Sequence, residues 1–495
     1  MQASTFPAPN VDGVDGWTAQ GVAAAQQGHM DQAIACFEQA VLLQPDNSVT
    51  LGNLGLALLQ ARRPAQARIV LEQAVVIAPH KPETHYLLGN ACMAQQQWSA
   101  ARAHYTNALE QQPQAVDALR NRAIAQLQCH ALDAALADCQ SALALDPRHA
   151  ATWRNLGLIE RERGALPASV AAYDEALALE PCSAETHTDR ACTLLLMGDF
   201  ANGWKDYAWR WQKPLFALPE RIRRLPVWAG QDLRGQTVLL HSEQGLGDTL
   251  QFCRFVPYVA ELGCKVQLAV QPPLVDLLTD NLAGAATVWA VDGPLPDCDY
   301  RCGLLDLPLR LDATCEPFAD AQGYLCTGIQ QGLDRHQPLA GSPVPRIGLA
   351  WRGSPRHPND HRRSLVLAEL LSQLPPGPQY VCLQVDASDS EHAMLRASAN
   401  CGQHQLDIGS WRESAALVKT LDLVLTVDTG VAHLGGAMGK ATWVLLPYAP
   451  DWRWQLHRAD SPWYASIQLF RQSSPGDWSH PLRAVARAIA NWPVP

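Results

Sequence analysis

A repeat with a period of 34 residues organises the first part of this chain and limits what it can fold into. Its clearest marks are the evenly spaced prolines Pro45, Pro79, Pro113, Pro147 and Pro181. Eight residues before each proline stands a mostly bulky residue: Phe37, Leu71, Tyr105, Cys139, Tyr173. Further upstream, again at one fixed distance from each proline, stands a small residue: Gly21, Gly55, Gly89, Ala123 or Gly157. Small residues let two helices approach closely and proline ends a helix, so the pattern predicts stacked helical pairs.

This phased pattern resembles the tetratricopeptide repeat, whose unit is also 34 residues long. Alanines five residues before each proline complete it: Ala40, Ala74, Ala108, Ala142, Ala176. Ala191, Gly198 and Tyr207 continue the phase, and Pro214 is one residue off it. We therefore expect an all-α solenoid over residues 14–214, with five repeats and a degenerate sixth.

Three asparagines share one phase in the first helix of their repeats: Asn53, Asn121 and Asn155, with Leu87 in that position of the third repeat. The O-GlcNAc transferases, which also join such repeats to a sugar transferase, bind peptide backbone with an asparagine ladder of this kind. The same residues are equally consistent with ordinary surface polarity. The pattern predicts a peptide-binding concave face as one of two interpretations.

Bulk composition excludes some classes of function. A net charge of −10 over 495 residues argues against nucleic-acid binding. No apolar run approaches the roughly 18 residues of a membrane span, and the first residues lack a secretory signal. The 14 cysteines are scattered without a CxxC pair. We expect a bacterial cytoplasmic protein whose cysteines are core residues. Assembly into a homo-oligomer is compatible with this sequence.

From about residue 226 the hydrophobic period changes to short apolar runs that alternate with helical patterns. Runs at 236–241, 265–270 and 287–291 predict parallel strands, as do runs at 346–351, 380–385, 421–427 and 442–447. A helix is predicted over 247–262, another over 481–492, and an interlobe linker over 328–345. The pattern predicts an α/β module of two Rossmann-like lobes, 226–335 and 345–495, with a ligand cleft between them.

A glycine-rich loop follows the first predicted strand, in SEQGLGDTLQF at 242–252. Gly245 and Gly247 permit a tight turn and close approach of a ligand. Asp248 then stands at a helix start, where its carboxylate is suited to accept a proton from an acceptor hydroxyl. The alternative is that Asp248 only caps its helix.

A basic loop follows the first strand of the second lobe, in WRGSPRHPNDHRRS at 351–364. It carries His357, His361, Arg362 and Arg363, which suit neutralisation of a departing pyrophosphate. Ser364 suits either a phosphate contact or a helix cap. A solvated basic loop is the alternative interpretation.

A strand, a tight turn and a helix of small residues make up LVLTVDTGVAHLGGAMGK at 423–440. The helix start presents free N–H groups to an anion, with Thr429 and Gly430 as phosphate donors. His433 lies one turn along, where it can face a leaving group, and Asp428 suits a bond to a donor hydroxyl. A capped helix and a core histidine are the alternatives.

The half from 226 to 495 resembles the family 9 glycosyltransferases, the ADP-heptose:lipopolysaccharide heptosyltransferase superfamily. The matching pieces are GLGD at 245–248, WRG at 351–353 and DTGVAH at 428–433; LLPYAPDWRW at 445–454 and SPWY at 461–464 resemble the ending of bacterial proteins that fuse this module to tetratricopeptide repeats. The resemblance implies a GT-B fold, inversion at the anomeric carbon, and a nucleotide sugar as co-substrate without a metal or other cofactor.

The resemblance also implies roles for particular residues. Asp248 corresponds to the catalytic aspartate, and Asp428, Thr429, Gly430 and His433 to the donor-phosphate turn. Trp351 and Gly353 join Gly245 and Gly247 as donor-binding positions. Heptosyltransferases carry a phosphate-binding lysine where this chain has His361, Arg362 and Arg363, which argues against ADP-heptose as the donor.

Three functions follow as hypotheses. The first is an inverting glycosyltransferase whose acceptor is a protein or peptide recruited by the solenoid; flagellin before export is a candidate by resemblance. The second is a scaffold or adaptor with an inactive transferase half. The third is a transferase with a glycolipid acceptor.

Overall fold

The computed structural model describes residues 13–214, 218–312, 323–325, 344–355, 357, 359–398 and 410–492. The chain divides into two compact units, Met1–Cys182 and Ser183–Pro495, here called the repeat unit and the sheet unit. The predicted linker at 328–345 lies outside the described residues except for its last two positions.

The repeat unit is built from consecutive helical pairs. Its helices α1 to α10 are Val14–Gln26, Met30–Leu43, Ser48–Gln60, Pro64–Ile77, Pro82–Ala94, Trp98–Gln111, Val116–Gln128, Leu132–Leu145, Ala150–Glu162 and Leu166–Leu179. The second helix of each pair ends two residues before a phased proline, because the residue that precedes proline is disfavoured in helical conformation.

The small and bulky positions of the repeat touch each other within a pair. A Cβ atom placed on Gly55 would lie 2.4 Å from Leu71 Cδ2, and one on Gly89 would lie 2.5 Å from Tyr105 Cε1. Leu71 and Tyr105 are fully buried. Glycine is therefore required by the close approach of the two helices.

The sheet unit begins with the sixth helical pair, α11 (Ala184–Met197) and α12 (Phe200–Tyr207), followed by a 3₁₀ turn, Ala208–Gln212. The sequence placed the end of the solenoid at 214, whereas the compact units divide after Cys182. Trp204 gives the reason, since its indole packs edge-on against Phe252, Trp452 and Trp463 of the sheet unit.

The first lobe (218–312 among the described residues) holds a parallel sheet in the order β3-β2-β1-β4. Its strands β1 to β4 are Thr237–His241, Lys265–Val270, Thr287–Ala290 and Tyr300–Gly303. Its helices α13 to α17 are Glu220–Arg223, Leu246–Phe252, Val256–Ala260, Val275–Leu282 and Leu307–Arg310.

The single helix predicted over 247–262 is divided in the structure. A 3₁₀ turn at Cys253–Phe255 separates α14 from α15, and Pro257 stands in the first turn of α15. Proline has no N–H for an intrahelical bond, so it suits a helix start and not a helix interior.

The second lobe (344–492 among the described residues) holds a parallel sheet in the order β6-β5-β7-β8-β9. Its strands β5 to β9 are Arg346–Ala350, Gln379–Cys382, Leu423–Val427, Thr442–Leu446 and Ile467–Arg471. Its helices α18 to α23 are Asp360–Arg363, Leu367–Gln373, Asp389–Ala397, Trp411–Lys419, Gly430–Ala437 and Ser479–Ala490.

Strands β7 and β8 are buried at every residue, which explains why their sequences are mostly apolar. The short strands β4 and β9 lie at sheet edges, and sequence reasoning did not predict them. Within the described residues, no helix is both long and apolar enough to cross a membrane.

Candidate functional site

The three loops singled out by sequence follow strands at the points where strand order reverses. In the first sheet the chain runs from β1 through β2 to β3, then returns to β4 on the other side of β1. In the second sheet β5 leads to β6, and β7 returns on the other side of β5. Loop 242–248 follows β1, the basic loop follows β5, and the turn at 428–430 follows β7. Ligands of open α/β sheets bind at such places.

Two of these loops are in contact. A Cβ atom placed on Gly247 would lie 2.7 Å from His433 Cδ2 and 3.6 Å from the Cα of Gly430. The glycine thus lets the start of α14 approach the start of α22 closely. The structure therefore brings together the first-lobe loop and the DTGVAH segment.

Asp248 lies at this contact and combines both roles that the sequence left open. Its Oδ2 accepts a hydrogen bond from the amide of Gly245 at 2.8 Å, which caps α14. Its Oδ1 accepts from Nη2 of Arg453, a residue of the second lobe. The carboxylate caps its own helix and also faces the opposite lobe.

Arg453 is a site residue that sequence reasoning missed. Its Nε donates to Gln251 Oε1 at 2.7 Å and its Nη1 to Asp451 Oδ1 at 2.7 Å. The guanidinium stacks on the Trp452 ring at 4.1 Å, and only 8% of the side chain is exposed. Burial opposes its charge, but Asp451 and Asp248 raise the pKa of Arg453 above its ordinary value. The signal was present in the segment DWRW at 451–454, where an arginine stands two residues after an aspartate.

The start of α22 offers unpaired backbone donors. Thr429 caps the helix, since its hydroxyl accepts from the amide of Val431 at 3.3 Å. Among the described residues, the amides of Thr429 and Gly430 donate to no protein acceptor. Both residues are half-buried. This helix start has the donors and partial positive charge that an anion requires.

His433 is buried beside this helix start. Its Nδ1 is 2.9 Å from Tyr464 Oη, and its ring stacks on Trp454 with centroids 5.5 Å apart. Burial, and then the nearby Arg453, lower the pKa of His433 to about 3. The ring is therefore neutral at physiological pH.

Asp428 is 8% exposed and lies at the end of β7. Burial, and then the charge of Asp451, raise the pKa of Asp428 to about 6, against the opposing effect of Arg363 and Arg453. The pKa of Asp451 moves the other way, because Arg453 outweighs the effect of burial and lowers it. The site thus contains one carboxyl that gains a proton just below neutral pH.

The basic loop contributes Arg363 to the same site. Its charge lowers the pKa of both Asp428 and His433. A Cβ atom on Gly353 would lie 2.5 Å from Arg363 Nη2, so this glycine makes room for the guanidinium. Ser364 accepts from the Gly353 amide at 3.0 Å and donates to Asp360 at 2.9 Å, which ties it to the loop itself.

The remaining residues of this loop differ in exposure. His361 and His357 are exposed and Arg362 is half-buried. Trp351 is fully buried in the core of the second lobe, where its indole N–H donates to Glu391 at 2.8 Å. The Trp351 ring therefore serves packing. Its amide donates to Gln384 at 3.2 Å and its carbonyl accepts from the Leu365 amide at 2.7 Å, so the predicted donor-binding role of Trp351 has no support in this structure.

A buried charge network holds the loop that carries Asp248. Arg210, in the 3₁₀ turn of the sixth pair, donates to both oxygens of Glu243 at 2.6 and 2.8 Å and lies 2.8 Å from Asp306. Next along the loop, Gln244 donates to Tyr207 Oη at 2.8 Å. These residues were not predicted because their partners are distant in sequence.

Two other sequence features have structural partners. Asn121 donates to Asn90 at 2.9 Å, and Tyr105 donates to the same oxygen at 2.7 Å, so Asn90 extends the asparagine set. Asn53 and Asn155 are half-buried. In the first lobe, the sequence DCD at 297–299 places two aspartates in a DxD pattern. Asp299 accepts from the Thr237 amide at 2.8 Å and fixes a strand end. Within the described residues, no cluster of three or more His, Cys, Asp or Glu side chains is suited to hold a metal ion.

Comparison with known proteins identifies the repeats. The family model for the tetratricopeptide repeat matches residues 18–82, 86–147 and 132–184. The N-terminal part is therefore an all-α tetratricopeptide-repeat solenoid, and it is followed by a region with parallel sheets. Such repeats are peptide- and protein-binding modules, which supports a protein-interaction role.

Individual relatives cover parts of the chain. Protein FlbA of Caulobacter vibrioides is 26% identical over 334 residues, which are 61% of this chain and 54% of FlbA. The chain thus spans about half the length of this curated relative.

Solved structures with similarity include MamA, at 22% identity and a TM-score of 0.31, over 33% of this chain and 96% of MamA. YrrB, described as a TPR protein with an unusual peptide-binding site, has 17% identity and a TM-score of 0.32, over 35% of this chain and 89% of YrrB. A tetratricopeptide repeat protein from Parabacteroides merdae has 17% identity and a TM-score of 0.37, over 40% of this chain and 79% of its own.

Proposed function

We propose that the sheet unit is an inverting glycosyltransferase of GT-B type that uses a nucleotide-sugar donor. The observation that carries this proposal is the position of Asp248 beside the start of α22. Gly247 is in contact range of His433 and Gly430, and the amides of Thr429 and Gly430 are open to an anion. A carboxylate from one parallel-sheet lobe thereby meets an anion-binding helix start from the other.

The reaction follows from this arrangement. Asp248 takes the proton of the acceptor hydroxyl, whose oxygen forms a bond to the anomeric carbon of the donor sugar. The bond from that carbon to the diphosphate oxygen breaks, and its electron pair leaves with the nucleoside diphosphate. The amides of Thr429 and Gly430, with the charges of Arg363 and Arg453, stabilise the departing anion. Attack opposite the leaving group inverts the anomeric configuration.

The acceptor in this proposal is a protein or peptide bound by the repeats. The phased Asn53, Asn121 and Asn155 supply amide groups suited to an extended backbone, and Asn90 adds another through its bond to Asn121. A protein that is glycosylated before export, with flagellin as one candidate, fits this recruitment.

The test combines donor binding with turnover. Nucleotide sugars are screened for thermal stabilisation of the full chain, because a ligand that binds only the folded state raises its melting temperature. Co-expressed candidate acceptors are then examined by mass spectrometry for the added sugar. We expect Asp248→Asn to retain donor binding and to lose transfer by about 10²–10⁴-fold, the usual contribution of a positioned base.

An alternative function is that of a scaffold whose sheet unit does not catalyse. One observation favours it: Asp248 already caps α14 and pairs with Arg453, so structure alone accounts for this residue. If no nucleotide sugar stabilises the protein and Asp248→Asn changes only its stability, the scaffold function is correct. A wild-type protein that transfers sugar to extracted glycolipid but to no protein acceptor would instead indicate a glycolipid transferase.

A further inference from the structure

Arg453 connects the two lobes at the reacting end of the site. Its three donors reach Gln251 and Asp248 of the first lobe and Asp451 of its own lobe. The first-lobe bonds join residues more than 200 positions apart in sequence. Only 8% of the Arg453 side chain is exposed, and each of its three guanidinium nitrogens donates to a protein oxygen in this structure.

The bond to Asp248 takes up the oxygen that faces the second lobe. Oδ2 is occupied by the Gly245 amide at 2.8 Å, and Oδ1 by Arg453. The amides of Thr429 and Gly430 lie in that same second lobe. In this structure Arg453 already occupies Oδ1 of Asp248. That is the oxygen to which an acceptor hydroxyl arriving from the donor side would have to pass its proton.

Arg453 also lies close to the helix start that suits the diphosphate. The neighbouring Trp454 stacks on His433 with ring centroids 5.5 Å apart. Asp248, the partner of Arg453, follows Gly247, whose Cβ position lies 3.6 Å from the Cα of Gly430. A planar guanidinium binds phosphate through paired N–H groups, and a diphosphate carries more charge than one carboxylate. The diphosphate and Asp248 are therefore rival partners for the same donor groups.

We propose that Arg453 is shared between Asp248 and the donor diphosphate, so that donor binding draws the guanidinium from the base and frees Asp248 for the acceptor. This proposal rests on the proposed transferase function. It makes Arg453 a donor-binding and positioning residue, and it predicts that the donor binds before the acceptor. Asp451 stays on Nη1 throughout and keeps the side chain anchored.

Binding measurements on the full chain test this exchange without any need for turnover. Isothermal titration calorimetry with inorganic pyrophosphate and with ADP, GDP, UDP and CDP compares the wild type with Asp248→Asn, Arg453→Gln and the double variant. We expect Asp248→Asn to tighten pyrophosphate binding by about 3–10-fold, because coupled partners act on each other reciprocally. Arg453→Gln should weaken the binding by about tenfold, the scale of one charge-assisted hydrogen bond.

The double variant separates competition for Arg453 from a general loss of negative charge. If Asp248 acts through Arg453, removing its charge has no effect once Arg453 is gone, and the double variant binds as Arg453→Gln does. Equal tightening by Asp248→Asn in both backgrounds would overturn the proposal, as would unchanged affinity in the single variant.

A second substitution covers the case in which Arg453→Gln does not fold. Arg453→Lys keeps the charge but not the fork, so it should reduce the tightening by Asp248→Asn to below about twofold. Full tightening with lysine in place would overturn the proposal. If the wild type binds neither pyrophosphate nor any of the four nucleotides, the proposed donor site is wrong. If it binds them with an affinity that Asp248→Asn does not change, the donor site stands and only the proposed sharing of Arg453 is wrong.

Discussion

The repeat unit and the sheet unit bury different kinds of contact. In the repeat unit, a glycine of one helix meets a bulky apolar residue of the next, as Gly55 meets Leu71. In the sheet unit, charged side chains are buried in bonds between distant segments, as Arg453 bonds Asp248. Apolar contacts between near neighbours recur with the sequence period, whereas the pair of Arg453 and Asp248 depends on where two remote loops arrive.

The difference also has an energetic side. Apolar burial stabilises in proportion to the area removed from water. A buried ion pair roughly balances Coulomb attraction against lost hydration, but removal of one partner leaves an uncompensated charge. The sheet unit should therefore respond far more strongly to loss of one charge than the repeat unit does to a change in one apolar contact.

The largest stability effect is expected at Arg210, whose side chain is 1% exposed. Arg210→Met leaves the carboxylates of Glu243 and Asp306 buried without their cation, so it should destabilise the sheet unit by about 3–5 kcal/mol. Urea unfolding followed by circular dichroism measures this, and the transition of the repeat unit should not move.

Arg234 provides the matched control. Its ion pair with Asp232 has side chains 80% and 59% exposed, so Arg234→Met should leave both transitions unchanged. Equal effects at Arg210 and Arg234 would show that burial of charge does not distinguish the sheet unit.

A smaller effect, confined to the repeat unit, is expected at Gly55. Gly55→Ala places a methyl group 2.4 Å from the side chain of buried Leu71 and should cost about 1–3 kcal/mol through overpacking. Gly52 in the same helix has no atom within 4 Å of its Cβ position. Gly52→Ala should therefore stabilise by up to about 1 kcal/mol through helix propensity, and the opposite signs can be read from urea midpoints.

Acidification from pH 7 to 5 should produce an effect no larger than that of Gly55→Ala, mostly in the sheet unit. Burial lowers the pKa of His241 to about 4 and that of His433 to about 3. The ordinary pKa of histidine is 6.5, so the unfolded chain takes up protons near that pH whereas the folded unit does not. Stability therefore falls as pH drops below 6.5.

Asp428 acts in the opposite direction. Its folded pKa of about 6 lies above the unfolded value of 3.8, so this group favours the folded state as pH falls through 6. We expect a net loss of about 2 kcal/mol between pH 7 and 5. The loss should steepen in Asp428→Asn, and urea midpoints that rise on acidification would contradict this assignment.

Much of the architecture could be predicted from periodic features. The proline phase located the ends of helices α2, α4, α6, α8 and α10 within two residues. The apolar runs located the buried strands. The edge strand β4, with the sequence YRCG, carries too few apolar residues for periodicity to reveal it. The sixth helical pair was assigned to the solenoid because phase alone does not show that Trp204 packs on Phe252.

The candidate site was predictable in part. Loop positions after strands pointed to Asp248, Thr429 and Gly430, because the chemistry of a helix start is local. Arg453 and Arg210 were missed, since each gains its role only from carboxylates in other segments. His433 was predicted at the site, but its neutral state depends on burial that no local sequence pattern reports.

The sequence by itself determined the tetratricopeptide repeats, the succession of parallel strands and the residues at the strand-end loops, because each of these depends on neighbours along the chain. Only the tertiary structure decided that Trp204 of the sixth helical pair packs on Phe252, that Arg453 joins Asp248, and which titratable groups lose or keep their charge. Those outcomes depend on which distant groups share a water-poor space, and the electrostatic free energy of a side chain is set by that space.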